Sequence, residues 1–137
     1  MKSKFNKQNT KYEVNAALKL FAPPSEHDLQ VVCVEWFRLQ FPGLKNLLFA
    51  IPNGGKRNII VAKKMKEEGV LSGVPDLFLA IAKKDFHGLF IEMKTGKNKP
   101  TENQLKMMDQ LKEQNYQTVV CFSFEEFTHH VKNYLYD

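Results

Sequence analysis

In the stretch "GVPDLFLAIAKKDFHGLFIEMK", residues 73–94, an aspartate follows a proline at the head of one apolar run and Glu-x-Lys sits inside the next. Charged groups in a buried strand are costly unless they are paired or bind a metal. Side chains alternate along a strand, so Phe90, Glu92 and Lys94 share one face while Leu89, Ile91 and Met93 share the other. Closing a hairpin at 84–88 sets Asp76 opposite residues 94–96, a diagonal step from Glu92. Two carboxylates and an ammonium then converge at one end of a sheet. Magnesium takes hard oxygen ligands, commonly one or two carboxylates with water and phosphate, and this pair meets that demand. A lysine beside such an ion orients an attacking water and offsets charge building on a phosphoryl group. The ordinary alternative is a cross-strand pair of Glu92 and Lys94 on a solvated face. The apolar runs 77–82 and 89–93 argue against it, because they read as strands covered on both sides.

Such a site needs a frame, and the rest of the chain supplies one. Ser25 is placed to cap a helix over 26–41, in which Leu29, Val32, Cys33, Trp36 and Phe37 form an apolar stripe and Pro42-Gly43 is the stop. Residues 46–52 read as a short buried strand, 53–55 as a glycine turn, and 57–68 as a basic helix ending at Gly69. Strands over 75–84 and 88–95 flank the turn Asp85–Gly88. Thr101 and Gln104 make a capping-box pattern for a helix over 102–115, with Leu105, Met108 and Leu111 as its core face. A fourth strand follows at 117–122. Ser123 and Glu126 then open a last helix whose Phe127, Val131, Tyr134 and Leu135 point inward. The order α-β-α-β-β-α-β-α predicts an α/β fold: a mixed sheet flanked by helices on both faces.

Composition narrows the class. A chain of 137 residues with ordinary apolar and charged fractions makes one domain with its own core. No apolar run reaches the length of a membrane span, and the first residues lack the hydrophobic segment of a signal peptide, so the expected location is cytoplasmic. Cys33 and Cys121 sit in apolar stretches and read as free buried thiols. His27, His87, His129 and His130 have no ligand spacing with them. Of the net charge of +5, residues 1–22 hold five lysines against Glu13 alone. Residues 1–24 therefore read as a basic arm, with a short helix over 13–20, ahead of a domain spanning 25–137. Lys45, Lys56, Arg57, Lys63, Lys64 and Lys66 follow one another without an acidic residue between 43 and 66. Such patches suit an anionic polymer, although they also occur as simple solvated faces.

Spacing, element order and flanking words together resemble the virus-type replication-repair nuclease (VRR-NUC) domain, a branch of the PD-(D/E)XK nucleases with a restriction-endonuclease-like fold. The resemblance covers roughly residues 25–130. It rests on Glu26 with Gln30, "PNGGKRN" at 52–58, "GVLSGVPDLFL" at 69–79, "FIEMKTGKNKPTENQ" at 90–104 and the closing "VVCFSFEEF". It implies catalytic roles for Glu26, Asp76, Glu92, Lys94 and Gln104. Magnesium, for which manganese can substitute, would be held by Asp76, Glu92 and the Met93 backbone carbonyl, with Glu26 steering a water or a second ion; no organic cofactor is implied. Met93 departs from the small or branched residue usual at the middle position, which matters little where only the carbonyl faces the metal. Two of these residues have local explanations as well: Glu26 suits a helix N-terminus, and Gln104 is fully accounted for by its capping box. Asn53, Lys56, Arg57, Lys63, Lys97 and Lys99 are the expected DNA contacts.

The implied activity is a metal-dependent DNA endonuclease leaving a 5′-phosphate and a 3′-hydroxyl. Stand-alone members of the family suggest a homodimer acting on branched DNA, as a Holliday (four-way) junction resolvase, in a phage or prophage setting. The alternatives are a flap or nicking nuclease and a non-catalytic basic DNA-binding module. An apolar surplus on the first and last helices (Trp36, Phe41, Phe127, Tyr134, Tyr136) suggests a helical dimer surface.

Overall fold

Local signals start and stop most of the elements. In the computed structural model, which describes residues 24–52, 58–83 and 85–137, the Ser25 hydroxyl accepts a hydrogen bond from the Asp28 N–H at 3.0 Å and opens helix α1 (Glu26–Gln40). Pro42 stands at the start of a 3₁₀ turn (Pro42–Leu47), which takes up the front of the strand expected at 46–52 and leaves β1 as Leu48–Ala50. Proline suits that position because its missing N–H has no partner in a first helical turn. Asn58 caps α2 (Ile59–Glu67) by accepting from the Ile60 N–H at 2.8 Å. Then come β2 (Leu77–Leu79), β3 (Leu89–Met93), α3 (Glu102–Glu113), β4 (Gln117–Cys121) and α4 (Phe124–Tyr136). The element order is the expected one. The helix expected over 13–20 and the residues Asn53, Lys56 and Arg57 lie outside the described residues.

The four strands form one sheet in the order β1-β2-β3-β4. The first three are antiparallel and β3 runs parallel to β4, with α3 as the crossover. Helices α1 and α4 cover one face. Their Leu29, Cys33, Phe37, Phe127, Val131 and Tyr134 pack against Leu77, Leu79, Leu89, Ile91, Met93 and Cys121 from the strands. Both cysteines are free and fully buried here, and their thiols are pushed up to about 11 (Cys33) and about 12 (Cys121), chiefly by burial.

Against the opposite face lies the start of α3, whose Gln104 reaches Glu92, and beside it runs a row of rings, with Phe78 stacked on Phe90 at 4.4 Å and Tyr116 edge-on to Phe90. Helices therefore flank both faces.

Two expectations change at this level. The strands around the hairpin are shorter than 75–84 and 88–95. Three residues (80–82) on one side oppose two (87 and 88) on the other between the Leu79↔Leu89 pair and the Lys83↔Phe86 bridge, so the connection carries a bulge. The last helix holds the bulged strand: the Tyr134 hydroxyl donates to the Ile81 carbonyl and the Lys83 ammonium to the Leu135 carbonyl at 2.5 Å. The aromatic surplus is largely taken up within the chain, except for Tyr136, which stays exposed. Trp36 meets Phe41, Phe124 and Phe127 edge-on, Phe127 and Tyr134 are core residues, and Phe41 packs on Phe37 and Tyr136. Other exposed apolar side chains occur on α2 (Ile59, Ile60, Val61) and on the outer side of α1 (Val31, Val32, Leu39). Val32 is thus not part of the buried stripe expected for that helix, nor is the exposed Leu105 part of the core face of α3.

Candidate active site

Asp76 stands one residue ahead of β2, after the buried Pro75, and its Oδ2 accepts a 2.8 Å hydrogen bond from the Met93 N–H. Continuing the Leu77↔Ile91 register by one step sets Asp76 opposite Glu92 rather than residues 94–96. The turn closes earlier than expected, at the Lys83↔Phe86 bridge, which alone would set Asp76 opposite Met93, and the extra residue of the bulge moves the pairing one further, to Glu92. The carboxylates are therefore direct cross-strand neighbours, closer than a diagonal step.

Glu92 is 2% exposed and Lys94 8%. Glu92 Oε1 accepts from Gln104 Nε2 at 3.0 Å and lies 3.7 Å from the Lys94 ammonium. Its other oxygen, Oε2, is buried without a hydrogen-bond partner among the described residues. The Lys94 N–H donates to the Cys121 carbonyl at 2.9 Å, which continues the β3–β4 pairing to the lysine. Burial, and after it the charge of Asp76, pushes the Glu92 carboxyl up to about 8, against the pull of Lys94. Asp76 is also raised, first by burial and further by Glu26, while its bond to Met93 and Lys94's charge oppose the rise. Two carboxyl groups placed as cross-strand neighbours in a poorly hydrated setting resist ionising together.

That arrangement fits a divalent cation. A buried carboxylate oxygen with no donor, next to a second carboxylate, is a costly feature for a protein that holds no cation there, and a hard dication would satisfy both groups. Among the described residues no three acidic, histidine or cysteine side chains gather into a full ligand set, so the remaining ligands would be the Met93 carbonyl, water and substrate oxygen. Glu26, in the first turn of α1, is near enough for its charge to raise both Asp76 and Glu92. It is held by Asn98, whose Nδ2 donates to Glu26 Oε1 at 3.2 Å.

Gln104 turns out not to be an either-or case. Its Oε1 accepts from the Thr101 N–H at 2.8 Å and its own N–H donates to Thr101 Oγ1 at 3.2 Å, completing the capping box, while Nε2 reaches Glu92. One amide therefore starts α3 and anchors a site carboxylate. Of the expected DNA contacts within the described residues, Lys97 and Lys99 are exposed on the segment between β3 and α3. Lys63 is exposed on α2 and lies 4.0 Å from Glu67 in a surface pair. Sequence reasoning did not single out Asn98, a polar residue in a polar loop that carries no motif signal; only its distance to Glu26 marks it.

The family model described as the VRR-NUC domain matches residues 24–125, a span that holds all of these site residues. A solved structure named "VRR_NUC domain protein" is 29% identical, with a TM-score of 0.72, covering 83% of this chain and 90% of that one. No curated protein matches the chain.

Proposed function

The chain belongs to the VRR-NUC domain family and has a nuclease-type fold, and from that premise we propose that it is a divalent-metal-dependent DNA endonuclease. The observation that carries the reading is the pairing of half-buried Asp76 with buried Glu92, one of whose oxygens has no hydrogen-bond partner among the described residues while the other lies 3.7 Å from the Lys94 ammonium. Asp76 and Glu92, with the Met93 carbonyl, hold magnesium or manganese. The cation, when bound, acidifies a water and offsets charge on the scissile phosphate. Gln104 fixes the orientation of Glu92, and the Met93 N–H fixes that of Asp76. Lys94, confined by burial, presents its ammonium to the attacking water and to the phosphoryl oxygens. Water adds to phosphorus, the bond to the 3′ oxygen breaks, and a 3′-hydroxyl and 5′-phosphate result. The exposed Lys97 and Lys99 contact the DNA backbone. A homodimer acting on four-way junctions is the form we propose, because a single site per chain makes one nick and a two-fold pair makes two in matching orientation.

The test is cleavage of linear, nicked, flap and four-way DNA with magnesium, manganese or calcium. Magnesium and manganese should support cutting, and calcium, with its longer bonds and looser coordination, should support binding with little cutting. DNA binding without cutting under every ion would instead favour the non-catalytic module.

A further inference from the structure

The segment that leaves β3 returns to the first turn of α1. After Lys94 the chain makes a tight turn, with the Asn98 N–H donating to the Thr95 carbonyl at 3.1 Å and Gly96 at a φ of 59°. The turn carries Asn98 to Glu26, 72 positions away in sequence, where its amide donates to Oε1 at 3.2 Å. An amide N–H₂ donates and a carboxyl oxygen accepts, so this contact fixes one of the two Glu26 oxygens. Glu26 has three rotatable side-chain bonds and sits at a helix N-terminus, where free backbone N–H groups offer its carboxylate other partners. A donor on one oxygen selects a single orientation and leaves the second oxygen to receive a water.

We propose that Asn98 is a positioning residue of the site: it holds the Glu26 carboxylate toward the Asp76–Glu92 pair. The proposal rests on the nuclease reading above and names a residue that acts on the reaction only through Glu26. The same turn bears Lys97 and Lys99 on either side of Asn98, so the segment that meets the DNA backbone in that reading is also the one that sets Glu26. Substrate contact and metal-site geometry are thereby joined in one short piece of chain.

The experiment is a double-mutant cycle on Glu26→Ala and Asn98→Ala, read in two ways: kcat and KM on DNA with magnesium, and manganese affinity by calorimetry without DNA. Asn98→Ala should lower kcat about tenfold, the size expected of one hydrogen bond to a charged group, with KM for DNA nearly unchanged. It should weaken manganese binding about threefold. In the Glu26→Ala background it should do nothing further in either readout. Asn98→Asp, the same shape with the donor lost and a charge facing Glu26, should do at least as much harm as Asn98→Ala. Additive effects of the two alanine substitutions in both readouts would overturn the assignment, as would full activity in Asn98→Asp. Cleavage by Asp76→Asn at the wild-type rate would instead remove the nuclease reading, and the calorimetric cycle would still decide the role of Asn98.

Discussion

Glu92 keeps a proton that an exposed glutamate would have lost. Its carboxyl rises from an ordinary 4.5 to about 8, and Asp76 moves in the same direction. In the unfolded chain both ionise near their ordinary values, so between those limits the native state binds more protons than the unfolded one. Stability of the metal-free protein is therefore fullest at low pH and falls as pH rises through the raised value. Thermal denaturation in EDTA should show the melting temperature dropping from about pH 5 to about pH 8, with Glu92→Gln flattening the slope. Manganese, which competes with that proton, should raise the melting temperature more at about pH 8 than at about pH 6. An identical slope in wild type and Glu92→Gln would refute the raised Glu92 carboxyl as its source. At the same scale, Asp76→Asn, Glu92→Gln and Lys94→Ala should each cut the cleavage rate by at least about a hundredfold, with circular dichroism unchanged. Unimpaired cleavage by any one folded variant would remove that residue from the site.

At the scale of elements, the approach of α3 to the sheet decides where Gln104 sits. Gly73 permits it: its φ is +93°, and a Cβ built there would lie 2.9 Å from the Asn103 carbonyl oxygen and 3.1 Å from the carbonyl carbon. Backbone cannot yield as the tip of a flexible side chain does. Gly73→Ala should therefore cost roughly 1–3 kcal/mol and also push the start of α3 away from Glu92. Denaturant unfolding and cleavage assays should show both losses. Gly69→Ala is the control: it carries similar strain, at φ +104°, with nothing within 4 Å of the added carbon. It should lose stability while keeping its cleavage rate. Equal cleavage losses in the two variants would mean that α3 placement is not the route.

For the whole molecule, the open question is how copies assemble. Most of the aromatic rings on α1 and α4 pack within the chain around Trp36, and Tyr136, 71% exposed, is the one of them that faces solvent. We nonetheless expect a two-fold homodimer, on the ground of paired nicks. Light scattering should give about twice the chain mass, and four-way junctions should be nicked in opposed strands in preference to linear duplex. A strict monomer that nicks duplex and junction equally would remove the resolvase proposal and leave the endonuclease one standing.

Much of this was legible in the sequence because its signals are local. Caps at Ser25, Thr101 and Ser123, helical stripes, and the alternation that puts Glu92 and Lys94 on one face all act within a few residues, and each has its expected place in the fold save for the stripe members Val32 and Leu105, which are half exposed. The residue types in 76–94 also sufficed to suggest a cation site. Tertiary structure alone decided which residues meet. The turn closing at Lys83↔Phe86 and the bulge at 80–82 together set Asp76 opposite Glu92, tertiary packing turns one Gln104 amide into both cap and anchor, and a turn after Lys94 joins Asn98 to Glu26. Such contacts depend on strand register and on the approach of separate elements, and a one-residue slip changes every partner without changing the local pattern that sequence displays.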